Sequence, residues 1–179
     1  MVQKPLKHFP VPIGVAHWGI SLCVIGSVIS SLFVHSENPN SIPIKIHVWI
    51  GYGVTLFLIC QWVLLSLKRY RFVRSHVFPY HFQGRQCMLS DLKLLFKGRL
   101  PPTGPRSGLS GLVEGLGLFL ITLMAMTGLI FHFAAVYDAS HLSSMLIFRE
   151  IHNFFSGFVW AFVIGHGGMA ILHKIVDYT

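Results

Sequence analysis

The stretch that decides the fold lies near the C-terminus, at residues 147–172, and reads IFREIHNFFSGFVWAFVIGHGGMAIL. After Arg149 and Glu150 in its first turn, it contains no further Asp, Glu, Lys or Arg. A helix that crosses a bilayer needs about 20 predominantly apolar residues at 1.5 Å each, so this segment is long enough. His152 and His166 are 14 residues apart, which is close to four helical turns and about 21 Å along the axis. We therefore predict that both imidazoles face one side of a membrane-spanning helix.

Three other segments of the chain have the same character. They cover residues 11–34, 42–67 and 109–136, and each contains at most one charged residue, close to its start. Membrane-spanning strands are shorter, about 10 residues, and alternate in polarity, which these segments do not. The sequence thus predicts an all-α membrane protein, a four-transmembrane-helix bundle that forms a single domain over residues 1–179.

The composition agrees with a membrane protein. Of the 179 residues, 53% are hydrophobic and only 11% are charged, whereas soluble domains contain about 25% charged residues. This excludes a disordered chain, an ordinary cytosolic domain and a nucleic-acid-binding protein. The three cysteines form no Cys-x-x-Cys pair, which excludes a disulfide framework, a zinc ribbon and covalent attachment of a c-type haem.

The net charge of +8 is distributed unevenly along the chain. Twelve of the 14 basic residues lie before the first segment, between the second and third, or after the fourth, and Lys45 and Arg149 are the other two. Because cytoplasmic loops carry the excess of Lys and Arg, both termini are predicted to be cytoplasmic. The basic loops are also compatible with binding to anionic membrane lipid.

The long connection between the second and third segments contains one helical pattern. Ser90 and Asp91 are candidate N-caps, apolar residues follow at helical spacing, and Gly98 is a candidate end. This pattern predicts a short helix on the cytoplasmic membrane interface.

Eleven histidines are many for an apolar chain, because histidine is costly in lipid. The alternating directions of the four helices place His17 and His166 at an inner level, and His47 and His152 at an outer level. Iron accepts imidazole nitrogen on both axial sides, so two matched pairs predict two bis-histidine haems suited to electron transfer. The alternatives are polar contacts between helices, or zinc, for which two histidines at each level are too few ligands.

The other histidines are weaker candidates. His132, near the outer end of the third segment, and His173, two turns beyond His166, are alternative ligands. We expect His8, His76 and His81 to be solvated in basic loops, and His35 and His141 to lie at or beyond the outer ends.

Four further residues are candidates for cofactor binding. Lys45 and Arg149 lie within three residues of the outer histidines, where haem propionates would need cations, or they extend to the lipid headgroups. Gln61 and Glu114 lie in the inner half, where an amide and a carboxylate could serve quinone protonation. The alternative for Glu114 is that an acid favours the N-terminus of its helix.

Several short motifs occur in a definite order along the chain. They are His17-Trp18, His47-Val48-Trp49-Ile50-Gly51-Tyr52, Thr127-Gly128, and His152-x13-His166 followed by His173. In these motifs the chain resembles the bacterial di-haem cytochrome b family, which includes prokaryotic cytochrome b561 and the b-type subunits of nickel–iron hydrogenases and formate dehydrogenases. The resemblance implies a multi-pass protein of the bacterial inner membrane with two haems b, ligated by His17 with His166 and by His47 with His152.

The resemblance also implies an activity. Family members pass electrons between the quinone pool and a redox partner, which suggests that this chain is the membrane cytochrome subunit of a respiratory complex. Two alternatives remain open at this point. One is a stand-alone quinone reductase with a small extracytoplasmic donor such as superoxide, and the other is a haem-free transporter or anchor. The chain is thus expected to be an electron-transfer cytochrome or oxidoreductase subunit, and its status as an enzyme stays open.

Overall fold

The structure, a computed structural model, describes residues 9–34, 41–102, 108–137 and 142–177. Six α-helices and a 3₁₀ helix at Lys68–Tyr70 account for most of these residues, and no strand occurs among them. The α-helices are α1 Val11–Ser31, α2 Ile42–Ser66, α3 Arg71–Val77, α4 Phe82–Phe96, α5 Leu109–Tyr137 and α6 Leu142–Asp177.

Four of the helices are long and apolar enough to cross a membrane, namely α1, α2, α5 and α6. This confirms the predicted all-α fold with four membrane-spanning helices. The bounds differ mainly at two places: α1 ends at Ser31 rather than at residue 34, and α6 extends beyond 147–172 in both directions. The difference in α6 arises because an apolar run marks the part of a helix that lipid can surround, whereas the helix itself continues into polar residues.

The four long helices pack as two antiparallel hairpins. Helix α1 lies along α2, and α5 lies along α6. The hairpins meet through α2 and α5, where Trp62 Nε1 donates a hydrogen bond of 3.0 Å to Thr122 Oγ1. Helices α1 and α6 approach each other at few positions. The arrangement therefore leaves the α1 and α6 faces close together but largely unpacked.

Two hydrophobic clusters form the core. The first occupies the middle of the bundle and consists of Val24, Val28, Val54, Leu58, Ile121 and Val159. The second lies at the end where α2 finishes and consists of Ile13, Leu65, Tyr70, Val73 and Val77. Because the second cluster includes residues of the 3₁₀ helix and α3, the start of the long connection folds against the bundle. Our expectation of a solvated His76 is wrong for this reason: its side chain is 6% exposed, and Nδ1 donates to the Phe72 carbonyl at 2.6 Å.

The predicted helix in the long connection is present but begins earlier than expected. Helix α4 starts at Phe82, eight residues before Ser90, and Gly98 with φ of 67° follows its end. Asp91 does not cap α4. It lies inside that helix, is 1% exposed, and its Oδ2 accepts a hydrogen bond of 3.1 Å from the Leu109 amide at the start of α5. Asp91 does act as a cap, but of α5, which starts 18 residues further along the chain.

Candidate functional site

The structure brings the four predicted histidine ligands together as two pairs. The ring centroids of His17 and His166 are 6.3 Å apart, with an angle of 69° between the ring planes. The ring centroids of His47 and His152 are also 6.3 Å apart, with an angle of 89°. One pair joins α1 to α6 and the other joins α2 to α6, so both pairs connect the two hairpins.

The outer pair is fixed by hydrogen bonds at one nitrogen of each ring. His47 Nδ1 lies 3.2 Å from the Ser27 carbonyl and 3.0 Å from Ser30 Oγ. His152 Nδ1 lies 3.1 Å from the Met124 carbonyl and 3.2 Å from Thr127 Oγ1. A carbonyl oxygen can only accept, so both Nδ1 atoms donate. This assignment leaves each Nε2 without a proton and available to a metal, which is the usual arrangement of a ligating histidine.

The hydroxyl groups in these contacts are themselves held by backbone carbonyls. Ser30 Oγ donates to the Ser27 carbonyl at 2.9 Å, and Thr127 Oγ1 donates to the Leu123 carbonyl at 2.9 Å. Each hydroxyl can therefore accept from the imidazole with a free lone pair. The two outer histidines, which lie on α2 and α6, thus have equivalent hydrogen-bond partners, which lie on α1 and α5.

Gly128 gives the His152 ring its space. A Cβ atom at position 128 would stand 3.1 Å from His152 Cε1 and 3.4 Å from its Nδ1. Such a contact is closer than carbon atoms normally approach, so a larger residue would press against the imidazole. The Thr127-Gly128 motif is therefore explained by local contacts: the Thr127 hydroxyl is within hydrogen-bond distance of the His152 ring, and Gly128 leaves room for that ring.

The inner pair is held by ring contacts. His166 stacks on Phe162 at 5.2 Å with an angle of 8°, and the His17 ring lies edge-on to Trp18 at 6.2 Å. Neither imidazole has a hydrogen bond within the described part of the chain. The inner and outer pairs therefore have the same centroid separation, but within the described ranges only the outer imidazoles have a hydrogen bond at Nδ1.

The donor set fits a metal held between two imidazoles. With a metal–nitrogen bond of about 2.0 Å and about 1.15 Å from that nitrogen to the ring centroid, two axial imidazoles have centroids about 6.3 Å apart. Both pairs match this separation. Within the described ranges, no three side chains of His, Cys, Asp or Glu cluster as they would around zinc. A haem, whose macrocycle supplies nitrogen ligands of its own, would need only two further ligands from the protein, and each imidazole pair could provide them.

The predicted cation partners are less well defined. Lys45 is exposed near the start of α2 and makes no hydrogen bond or ion pair within the described chain. Arg149 donates through Nε to Glu150 Oε1 at 3.3 Å. Arg149 is thus already engaged by an acid next to it, whereas Lys45 remains available to an anion.

The predicted polar residues of the inner half lie apart from any hydrogen-bond network. Gln61 is 7% exposed on α2, and its Oε1 is buried without a hydrogen-bond partner. Glu114 is half-buried near the start of α5. Its neighbour Gly115 allows a close approach of α3, since a Cβ at that position would stand 2.7 Å from the Val77 carbonyl. No hydrogen bond joins Gln61 to Glu114 in the described chain.

The alternative ligands do not join either pair. His132 lies against Tyr52 at 6.0 Å and Phe133 at 5.8 Å, on the side where α2 meets α5. His173 is half-buried on α6 and makes no ring contact within the described chain. His8, His35 and His141 lie outside the described residues.

The contacts to the outer histidines are what the sequence reasoning missed. Ser27, Ser30 and the Met124 carbonyl were not predicted, and Thr127 was noted only as part of a motif. The available signal was the antiparallel register of the first hairpin, which places Ser30 of α1 opposite His47 of α2.

Four membrane-length helices that hold paired imidazoles at two positions along the bundle are the architecture of a membrane-embedded haem protein. The chain belongs to the prokaryotic cytochrome b561 family, whose model matches residues 8–179. It is accordingly a multi-pass bacterial membrane protein and a b-type cytochrome of electron transfer. No similar chain was found among the curated proteins or the solved structures.

Proposed function

We propose that this chain carries electrons across the bacterial inner membrane through two haems b, between the quinone pool and a redox partner, as the membrane subunit of a respiratory complex. Its ligands are His17 with His166 and His47 with His152. The observation that carries the proposal is the centroid separation of 6.3 Å, which occurs in both pairs. Haem b supplies a one-electron carrier whose potential depends on its axial ligands and surroundings.

The protein's own part is to position and insulate the ligands. The carbonyls of Ser27 and Met124 fix the outer imidazoles in the tautomer that exposes Nε2. The apolar cluster around Val159 lies midway between the two histidines of α6 and excludes water from the space between the pairs. A haem held by one imidazole on each side would have no position left for oxygen, so these histidines would favour electron transfer over oxygen binding.

The cation and quinone assignments follow from the same framework. Lys45 and Arg149 are proposed to neutralise propionates at the outer level, with Lys45 the better placed because Arg149 is bonded to Glu150. Gln61 and Glu114 are proposed to contact a quinone from the inner half. The buried and unpartnered Oε1 of Gln61 supports a polar ligand or water at that level.

The proposal is tested by counting haems in two histidine variants. His152→Ala should reduce the content of the purified protein from two haems per chain to one, because only the outer pair loses a ligand. His132→Ala is the matched control, since that imidazole lies against Tyr52, and it should retain two. Pyridine haemochrome content per chain is the measurement.

Three outcomes would count against the proposal. A wild-type protein that is folded and colourless would remove the haems altogether. Retention of both haems by His152→Ala would contradict the ligand pairing, and loss of a haem in His132→Ala would indicate that a ligand lies on α5.

The role as a subunit is tested separately: a stable iron–sulfur or c-type partner on co-purification supports it. Donor-driven quinone reduction by the isolated chain would instead favour a stand-alone quinone reductase.

A further inference from the structure

A cavity of about 450 Å³ lies where the chain leaves the membrane at the end of α2, away from both histidine pairs. Its lining residues are Lys68, Arg71, Phe72, Ser75, Tyr80 and His81. They come from the 3₁₀ helix, from α3 and from the turn that leads into α4. None of them has a part in the proposed electron transfer.

The cavity is cationic and rich in hydrogen-bond donors. Lys68 and Arg71 are exposed, and no acidic side chain is among the lining residues. Neither cation makes an ion pair or a side-chain hydrogen bond in the part of the chain that the structure describes. Two like charges three residues apart repel each other, so the site gains from an anion that neutralises both.

The neighbouring basic residue behaves differently. The Arg69 guanidinium carbon lies 5.8 Å from the centre of the Tyr70 ring, and Arg69 does not line the cavity. Lys68 and Arg71 are therefore set apart by the local fold and do not simply belong to a run of solvated charges.

The cavity is also firmly built. Val73 of α3 is 0% exposed and belongs to the hydrophobic cluster at that end of the bundle. Ser75 donates to the Phe72 carbonyl at 2.7 Å, and the Tyr80 and His81 rings are 4.1 Å apart. Because α3 packs into the core, the backbone that carries Lys68 and Arg71 has a defined position.

We propose that this cavity binds a phosphate group at the membrane surface. An Arg guanidinium can contact phosphate oxygens through two parallel hydrogen bonds, and a Lys ammonium adds a point charge. The position directly after a membrane-spanning helix is the level of lipid headgroups, and basic residues there are attracted to anionic lipids. An anionic phospholipid headgroup is therefore the expected source of the phosphate, and free inorganic phosphate is the other source.

The test compares lipid binding in two double variants that remove the same charge. Lys68→Gln/Arg71→Gln removes both cations of the cavity, and Arg69→Gln/Lys93→Gln removes two exposed cations outside it. Each delipidated protein, in detergent, is titrated with phosphatidylglycerol, with phosphatidylcholine and with inorganic phosphate. Bound lipid is counted by native mass spectrometry, and the thermal midpoint is followed in parallel.

We expect phosphatidylglycerol to bind the wild type and the control, and to bind the cavity variant about 30-fold more weakly, since each of the two cations contributes about fivefold. Arg71→Lys keeps the charge but loses the paired hydrogen bonds, so its binding should lie between that of the wild type and that of the cavity variant. A shift with inorganic phosphate that saturates the site would identify the free anion as the source. Unchanged phosphatidylglycerol binding in the cavity variant, or equal binding of phosphatidylcholine, would overturn the proposal. Haem content reports whether each variant is folded.

Discussion

At the scale of single residues, the two histidine pairs have one separation but different second contacts. The outer imidazoles each donate from Nδ1 to a backbone carbonyl and a hydroxyl, whereas the inner imidazoles make ring contacts only. A hydrogen bond from the second nitrogen makes an imidazole a stronger electron donor to a metal. Two haems with these ligands should therefore have different potentials, and this contact favours the lower potential at the outer site.

Thr127→Val tests this reasoning at one atom. The change keeps the side-chain shape but removes the Oγ1 that lies 3.2 Å from His152 Nδ1. A loss of about 0.5–1 kcal/mol in the preference for the oxidised form corresponds to about 20–40 mV for one electron. We expect a redox titration to show one midpoint raised by this amount and the other unchanged.

Thr122→Val is the matched control for that measurement. Its hydroxyl lies on the same helix but accepts from Trp62 and does not contact a histidine. This variant should lose some stability where α2 meets α5 and leave both midpoints in place. Equal shifts of both midpoints in Thr127→Val, or no shift at all, would contradict the assignment of its hydroxyl to one ligand.

At the scale of elements, Asp91 ties α4 to α5. Its carboxylate accepts from the Leu109 amide, one of the first amides of α5 that have no partner within their own helix. A negative charge at a helix N-terminus is also favoured by the helix dipole. The space is tight, because a Cβ at Gly108 would stand 2.6 Å from Asp91 Oδ2. One acid thus fixes the end of a membrane-spanning helix and the position of the helix before it.

Asp91→Ala should destabilise the protein by about 1–2 kcal/mol, because a helix cap is lost and an amide is left buried. For a chain of this size this corresponds to a thermal midpoint about 3–6 °C lower. Gly108→Ala should act in the same direction by displacing the carboxylate. Ser90→Ala, which changes an exposed neighbour, should leave the midpoint unchanged. Equal midpoints for Asp91→Ala and the wild type would show that the contact does not stabilise the fold.

The elements also show which features the sequence could predict. Long apolar runs marked the four membrane helices, because the bilayer imposes their length, and the 14-residue spacing on α6 predicted the shared face of His152 and His166. The end of α4 was visible at Gly98. The start of α4 was not visible, because Asp91 resembles an N-cap of the helix in which it lies. The amide that donates to its carboxylate is 18 residues further along the chain. His76 was misplaced for the same reason: burial of α3 depends on contacts with other helices.

At the scale of the whole molecule, the bundle separates its two pairs by an apolar layer. Val24 and Val28 of α1, Val54 and Leu58 of α2, and Val159 of α6 belong to one buried cluster. Val159 is seven residues from each histidine of α6. A hydrocarbon core is about 30 Å thick, so a single pair reaches only part of the way, whereas two pairs about 21 Å apart cover most of it.

This arrangement predicts that transfer across the membrane needs both pairs. In liposomes with ferricyanide inside and dithionite outside, the wild type should reduce the enclosed ferricyanide. His152→Ala and His166→Ala should each fall to the rate of protein-free liposomes, although each retains one haem. His132→Ala should transfer at the wild-type rate, because its imidazole packs against Tyr52 outside both pairs. Transfer by either ligand variant above that background would mean that one pair suffices, and the two-level arrangement would then need a different explanation.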